Sequence, residues 1–317
     1  MEKFRQISID GMITDWLTID PIDGNPSEIV LFLPGNPSLM NFYKQFCREL
    51  FKELGGSKAV WSITMGDQAA TGHSFRETVA PPPTPSLDKQ LRHKAKFIDE
   101  YIPKGVKVSI IAYSISCYLL LALIKKKGVA IGTLGDDAGA KLVDSLYFIF
   151  PVIERMRDSP LGKIFLPALC YFTWLILAIA FIILMFPNKI KFPIIKKILT
   201  SNTGSPPQDQ FVTGAIELIH PVMLKRVLNT LKEEIEQVKE LDISTIEDNR
   251  HKMVFYYGSY DGFCPRKYLY ELRERVPDVN AYLCRDSLHH VYVAHSSEQM
   301  AHIMGGIMGN KSDERMR

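Results

Sequence analysis

An uncharged run of 23 residues, 164–186, lies in the middle of a chain that otherwise alternates like a soluble α/β domain. As a straight helix it measures about 35 Å, enough to cross a hydrocarbon core of roughly 30 Å. Backbone polar groups that enter lipid must be satisfied internally, so the run spans, dips and returns, or is buried in protein. Arg155, Arg157 and Lys163 precede it, and Lys189, Lys191, Lys196 and Lys197 follow it. Basic flanks on both sides direct both ends to the cytosolic face. Pro167 is read as an interruption near its beginning. A re-entrant or interfacial helical segment, or a short hairpin, satisfies these features better than a crossing helix. A helical pair buried in a soluble cap is the remaining alternative.

The rest of the composition narrows the class. With 317 residues, 46% hydrophobic and 23% charged, the chain suits one large α/β domain with an insertion. A net charge of +3, without a long basic run or zinc-type cysteine spacing, gives no support for binding nucleic acid. Cys47, Cys117, Cys170, Cys264 and Cys284 are scattered and odd in number, which suits reduced thiols in a cytosol-facing protein. Residues 1–6 hold no apolar signal region, so membrane targeting is expected to be internal.

Along the chain, apolar strand-like runs at 28–33, 59–63, 106–112, 146–150, 253–257 and 279–284 alternate with helix-like periods at 41–54, 87–101, 117–127, 266–275 and from 297. That alternation predicts a doubly wound, mostly parallel sheet. The segments 71–86, rich in proline, and 128–139, rich in glycine, read as surface loops. Residues 151–250 break the rhythm and read as an inserted helical cap between core parts 1–150 and 251–317. Within it, Leu224, Leu228, Leu231, Ile235 and Val238 share one face of an amphipathic helix.

Three residues stand just past strand ends. Ser114, in Ala112-Tyr113-Ser114-Ile115-Ser116, falls where a strand turns sharply into a helix; small residues two before and two after allow that turn, although a helix N-cap is the plain local reading. Asp261 lies in Tyr257-Gly258-Ser259-Tyr260-Asp261-Gly262, which also reads as an ordinary turn. His290 follows the last strand, with His289 as its rival and His295 and His302 in or near the final helix. The order Ser, Asp, His, each after a strand, is that of an α/β-hydrolase and far more specific than any member alone. Ser114 would be the nucleophile, His290 the base and Asp261 its orienting acid. An oxyanion hole would draw on the Ile115 amide and on Gly35 and Asn36 in Pro34-Gly35-Asn36-Pro37, which is otherwise a simple turn. No cofactor and no metal is expected, since the histidines form no ligand array with a carboxylate.

From about Ile29 to Met304 the chain resembles the lipid droplet-associated hydrolase family. The resemblance rests on Leu33-Pro34-Gly35-Asn36-Pro37 with Phe42-Tyr43, on Phe150-Pro151-Val152-Ile153-Glu154-Arg155-Met156 with Ser159-Pro160 and Gly162, on Tyr256 to Asp261 with Cys264-Pro265, and on His290 ahead of Glu298-Gln299-Met300. It implies an α/β-hydrolase fold with a membrane-associating cap and a triad of Ser114, Asp261 and His290. It further implies residence on lipid droplets and endoplasmic reticulum through 164–186, and esterase action on neutral lipids such as cholesteryl esters or acylglycerols, with weak activity. Two departures stand out: the family's elbow, usually Gly-His-Ser-x-Gly, has Ala112 and Ser116 at its glycines, and Ser38 replaces the second glycine of the oxyanion-side loop. A β-carbon at both elbow positions predicts strain of about 1 to 3 kcal/mol at Ser114. The alternative function is a droplet-binding scaffold that keeps the fold and influences lipid storage without turnover.

Overall fold

The computed structural model describes residues 1–22, 24, 26–70, 83–127, 133–134, 141–203, 206–286 and 288–309. Most of the two loops expected at 71–86 and 128–139 falls outside them. The apolar runs rich in valine, isoleucine and aromatics form β3 (Glu28–Leu33), β4 (Ala59–Ile63), β5 (Lys107–Tyr113), β7 (Lys141–Ile149), β8 (Met253–Tyr257) and β9 (Asn280–Leu283), all parallel to their neighbours in that part of the sheet. β1 (Glu2–Ile9) and β2 (Met12–Ile19) add an antiparallel edge, and β6 (Thr133–Leu134) pairs antiparallel with β7. The order is β1-β2-β4-β3-β5-β7-β8-β9. Ile29 to Leu33 are fully buried, as continuous apolar strands of a sheet covered on both faces must be.

β3 runs to β4 on one side through α1 (Met40–Glu53), and the chain then returns past β3 to β5 through α2 (Leu87–Tyr101). With right-handed crossovers this reversal puts α1 and α2 on opposite faces and opens a crevice between the carboxyl ends of β3 and β5. α3 (Ile115–Lys127) follows β5 directly.

β7 and β8 are direct neighbours, Ile149 opposite Tyr256, yet five helices lie between them in sequence: α4 (Pro160–Leu184), α5 (Asn188–Thr203), α6 (Asp209–Ile219), α7 (Pro221–Gln237) and α8 (Ile243–Asn249). α9 (Arg266–Arg275) and α10 (Ser297–Met308) complete the core, α10 packing on α1. The apolar run is a single helix, α4, that starts at Pro160, where Ser159 Oγ accepts from the Gly162 amide at 3.0 Å. Pro167 does not interrupt it. An internal proline removes one backbone hydrogen bond and crowds the carbonyl four residues earlier, which bends a helix without having to end it. Only 11% of its apolar core is buried, so it is not a helix packed inside a soluble cap. Tyr171, Phe172, Trp174, Ile179 and Ile182 face outward, as do Ile190, Ile194 and Ile198 of α5. Leu161 and Phe165 at the start of α4 line the same cavity as Leu199 near the end of α5, so the chain leaves the core and returns to it.

Candidate active site

The segments after β3, β5, β8 and β9 bring Gly35, Ser114, Asp261 and His290 together at the carboxyl edge of the sheet, which is where doubly wound sheets bind ligands. Ser114 ends β5 with a φ of 56°, in the left-handed region rarely adopted by a side chain with a β-carbon. The strand-to-helix turn holds it there: its amide donates to the Ile149 carbonyl (3.1 Å) and its carbonyl accepts from the Cys117 amide (3.0 Å). The conformation points the side chain away from a capping role and toward His290, with Oγ 2.9 Å from Nε2. His290 Nδ1 in turn lies 2.6 Å from Asp261 Oδ2. The structure thus brings together the three residues singled out in sequence as one hydrogen-bonded series. His289 is exposed and forms a backbone bridge with Tyr260, and His302 pairs with Glu53 at 3.1 Å, so neither reaches Ser114.

Asp261 is buried, and its carboxylate is fully hydrogen-bonded. Oδ1 accepts from the Phe263 and Cys264 amides at 2.8 and 3.1 Å, while Oδ2 also receives the Cys264 thiol at 3.0 Å. Burial pushes its pKa up, but the neighbouring His290 and the hydrogen bonds from His290 and Cys264 outweigh that, and the net direction is down. A buried carboxylate bonded to Nδ1 fixes the tautomer and orientation of the ring, with Nε2 toward Ser114. The imidazole is clamped by Phe263 and Tyr113, at centroid distances of 5.3 and 5.5 Å, and Tyr113 Oη donates to the His290 carbonyl. Asp261, Cys264 and His290 are also the one cluster among the described residues with metal-ligand spacing, but these atoms are committed to one another and burial holds the Cys264 thiol protonated.

The expected oxyanion side is assembled next to Ser114. Ile115 opens α3, so its amide has no acceptor within the helix. Gly35 packs so tightly on the elbow that an added β-carbon would lie 2.8 Å from Ser114 Cβ and 3.2 Å from the Tyr113 carbonyl. Asn36 is held from both sides, its Nδ2 donating to the Val227 carbonyl of α7 and its Oδ1 accepting from Gln68 Nε2, each at 3.0 Å. Ser116 and Ser38 are bonded into this arrangement. Ser116 Oγ donates to the Pro34 carbonyl at 2.6 Å, joining the elbow helix to the oxyanion-side loop. Ser38 Oγ donates to Gln68 Oε1 and accepts from the Met65 amide.

A cavity of about 450 Å³ opens over Ser114 and His290, lined chiefly by apolar side chains including Leu161, Phe165, Leu199, Phe211, Leu218 and Phe263. Sequence reading did not single out Glu234 of α7, which also lines it and is 2% exposed.

The fold is shared with solved enzymes of low sequence identity. A haloalkane dehalogenase of Agrobacterium tumefaciens superposes with a TM-score of 0.62 at 12% identity, covering 98% of this chain and 97% of its own. A serine hydrolase involved in carbazole degradation gives 0.58 at 14%, covering 98% and 100%. The architecture is therefore that of an α/β-hydrolase. Sequence relatives are nearer: the lipid droplet-associated hydrolase of Gallus gallus is 27% identical over 90% of this chain and 86% of its own length, and that of Drosophila melanogaster 29% over 87% of each. The profile of the lipid-droplet associated hydrolases matches residues 26–293, a span holding every site residue described above, and the chain belongs to that family.

Proposed function

We propose that this hydrolase cleaves carboxylic esters of neutral lipids through an acyl-enzyme on Ser114. The observation that carries the reading is the Ser114–His290–Asp261 series opening into an apolar cavity. Ser114 Oγ attacks the ester carbonyl as His290 Nε2 takes its proton, and Asp261 stabilises the imidazolium. The Ile115 amide and the Gly35–Asn36 loop hold the oxyanion. The protonated His290 then gives its proton to the departing alcohol, and a water activated by the same ring releases the fatty acid. The apolar surface of α4 and α5 docks on the droplet monolayer or the endoplasmic reticulum membrane from the cytosolic side, and the cavity between their ends receives lipid. Support for the address comes from the names of the relatives, which are droplet-associated.

The test is labelling by a serine-reactive fluorophosphonate. Wild type is expected to label and Ser114→Ala to lose the label along with ester hydrolysis. Wild type that neither labels nor hydrolyses an ester would leave the scaffold function in its place.

A further inference from the structure

Val227, Leu231 and Glu234 stand at i, i+4 and i+7 on α7, the spacing of one helix face, and all three line the cavity over Ser114. The first two are aliphatic, as an apolar cavity requires. The third is a carboxyl whose Oε1 is buried without a hydrogen-bond partner among the described residues. Burial drives its pKa well above the usual carboxyl range, opposed by a hydrogen bond from Asn36 and reinforced by the Glu233 charge. Among the described residues no cation pairs with it, and a buried carboxyl in such surroundings favours the protonated form that can donate a hydrogen bond.

The other polar side chains of the cavity are already engaged. Asn36 is bonded to Val227 and Gln68, Tyr43 Oη donates to the Pro37 carbonyl at 2.8 Å, Tyr113 Oη is taken by the His290 carbonyl, and Ser114 and His290 hold each other. Glu234 Oε1 is what remains to be satisfied among the described residues. It neighbours both Asn36, on the oxyanion side, and Tyr43. A ligand group bonded to it therefore lies beside the scissile ester. A neutral carboxyl offers one donor and one acceptor, and the substrate group that reciprocates both is a hydroxyl.

Resting on the ester-hydrolase reading, we propose that Glu234 is a specificity-determining residue that hydrogen-bonds a free hydroxyl of the substrate, so the site takes partial acylglycerols over sterol esters and fully esterified glycerides. A site built around a buried polar group discriminates strongly against the analogue that leaves it unpaired.

The experiment reads protection of Ser114 from fluorophosphonate labelling, in detergent micelles, by an alkylglycerol and by its dimethyl ether. These non-hydrolysable probes share one chain and differ in free hydroxyls. Wild type is expected to be protected by the alkylglycerol at about tenfold or more lower concentration. Glu234→Leu, with Glu234→Met as a second apolar variant, brings the ratio toward one, whereas Glu234→Gln, which keeps a donor and an acceptor, retains most of it. A wild-type ratio near one, or a ratio that survives in a folded apolar variant, overturns the proposal while leaving the hydrolase intact. Absence of labelling in wild type removes the hydrolase reading and this one with it.

Discussion

Gly35 shows how one residue serves the site through space rather than through conformational freedom. The β-carbon of an alanine would meet Ser114 Cβ at 2.8 Å, and neither side can yield easily, because Ser116 ties the loop to the elbow and the Ser114 amide is tied to β7. Gly35→Ala is expected to fold, since the contact is local, but to slow fluorophosphonate labelling about 10²- to 10³-fold by displacing the oxyanion side. A labelling rate within twofold of wild type would contradict the placement of that loop. The triad candidates were legible because each follows a strand, and their chain order is informative even when each local motif is weak. Ser116, at an elbow position where a β-carbon predicts strain, has a partner in the Pro34 carbonyl, and Ser38 has partners in Gln68 and Met65. Such partners come from loops distant in sequence. Glu234 was illegible for a related reason: the most deeply buried side of α7 carries Val222, Met223, Arg226, Val227, Thr230 and Glu234, turned away from the half-buried Leu224, Leu228 and Leu231 that mark the apolar face in sequence.

Among the elements, α2 buries three polar side chains, Gln90, His93 and Lys94. Gln90 exchanges two hydrogen bonds with Gly66, His93 meets Thr14 at 2.6 Å, and Lys94 Nζ donates to the Thr64 carbonyl at 3.0 Å, together clasping the end of β4 and the β2 edge. Lys94 is 1% exposed, and burial lowers its pKa to about 7. Its folded value lies below the unfolded one, so folding releases a proton between those two values, and stability rises with pH across that window. Below about pH 7 the ammonium must stay buried in the folded state at its full disadvantage; above the ordinary lysine range the disadvantage is gone. Lys94→Met is therefore expected to be the more stable protein at and below pH 7, by up to roughly 4 kcal/mol less about 1 for the lost hydrogen bond. Its advantage shrinks as pH rises toward about 10. Denaturant melts at several pH values check this, and an advantage that grows with pH would refute it. Most core elements, by contrast, were readable from apolar periodicity alone. The β1–β2 hairpin falls outside the strand-like runs of the sequence, although Asp10 and Gly11, with φ of 52° and 75°, are the Asp-Gly pair that a two-residue hairpin turn favours. Their strands alternate too weakly to show: Glu2 to Gln6 are all exposed.

At the scale of the whole molecule, the exposed apolar arm and the cavity belong to one side, because the start of α4 and the end of α5 both line the cavity. A helix crossing a bilayer would carry β8, with Asp261, and His290 away from Ser114, whereas an arm that lies in a monolayer leaves the three within hydrogen-bond reach. The chain has three tryptophans, which makes the arm observable. Trp16 and Trp61 are 8% exposed and meet edge to face in the core at 5.3 Å, while Trp174 on α4 is 69% exposed. Addition of a triacylglycerol emulsion coated with phospholipid is expected to shift tryptophan emission to the blue, and Trp174→Phe to abolish the shift, since the core pair already sits in an apolar setting. A carboxylate placed in hydrocarbon costs about 2.5 to 3.5 kcal/mol near the centre of a membrane helix. Phe172→Asp with Ile179→Asp should therefore lower partition onto the emulsion by tenfold or more, without altering fluorophosphonate labelling in detergent, because both side chains face away from the cavity lining. Were the blue shift to persist in Trp174→Phe, or the double variant to bind emulsion like wild type, the docking surface would have to lie elsewhere on the molecule.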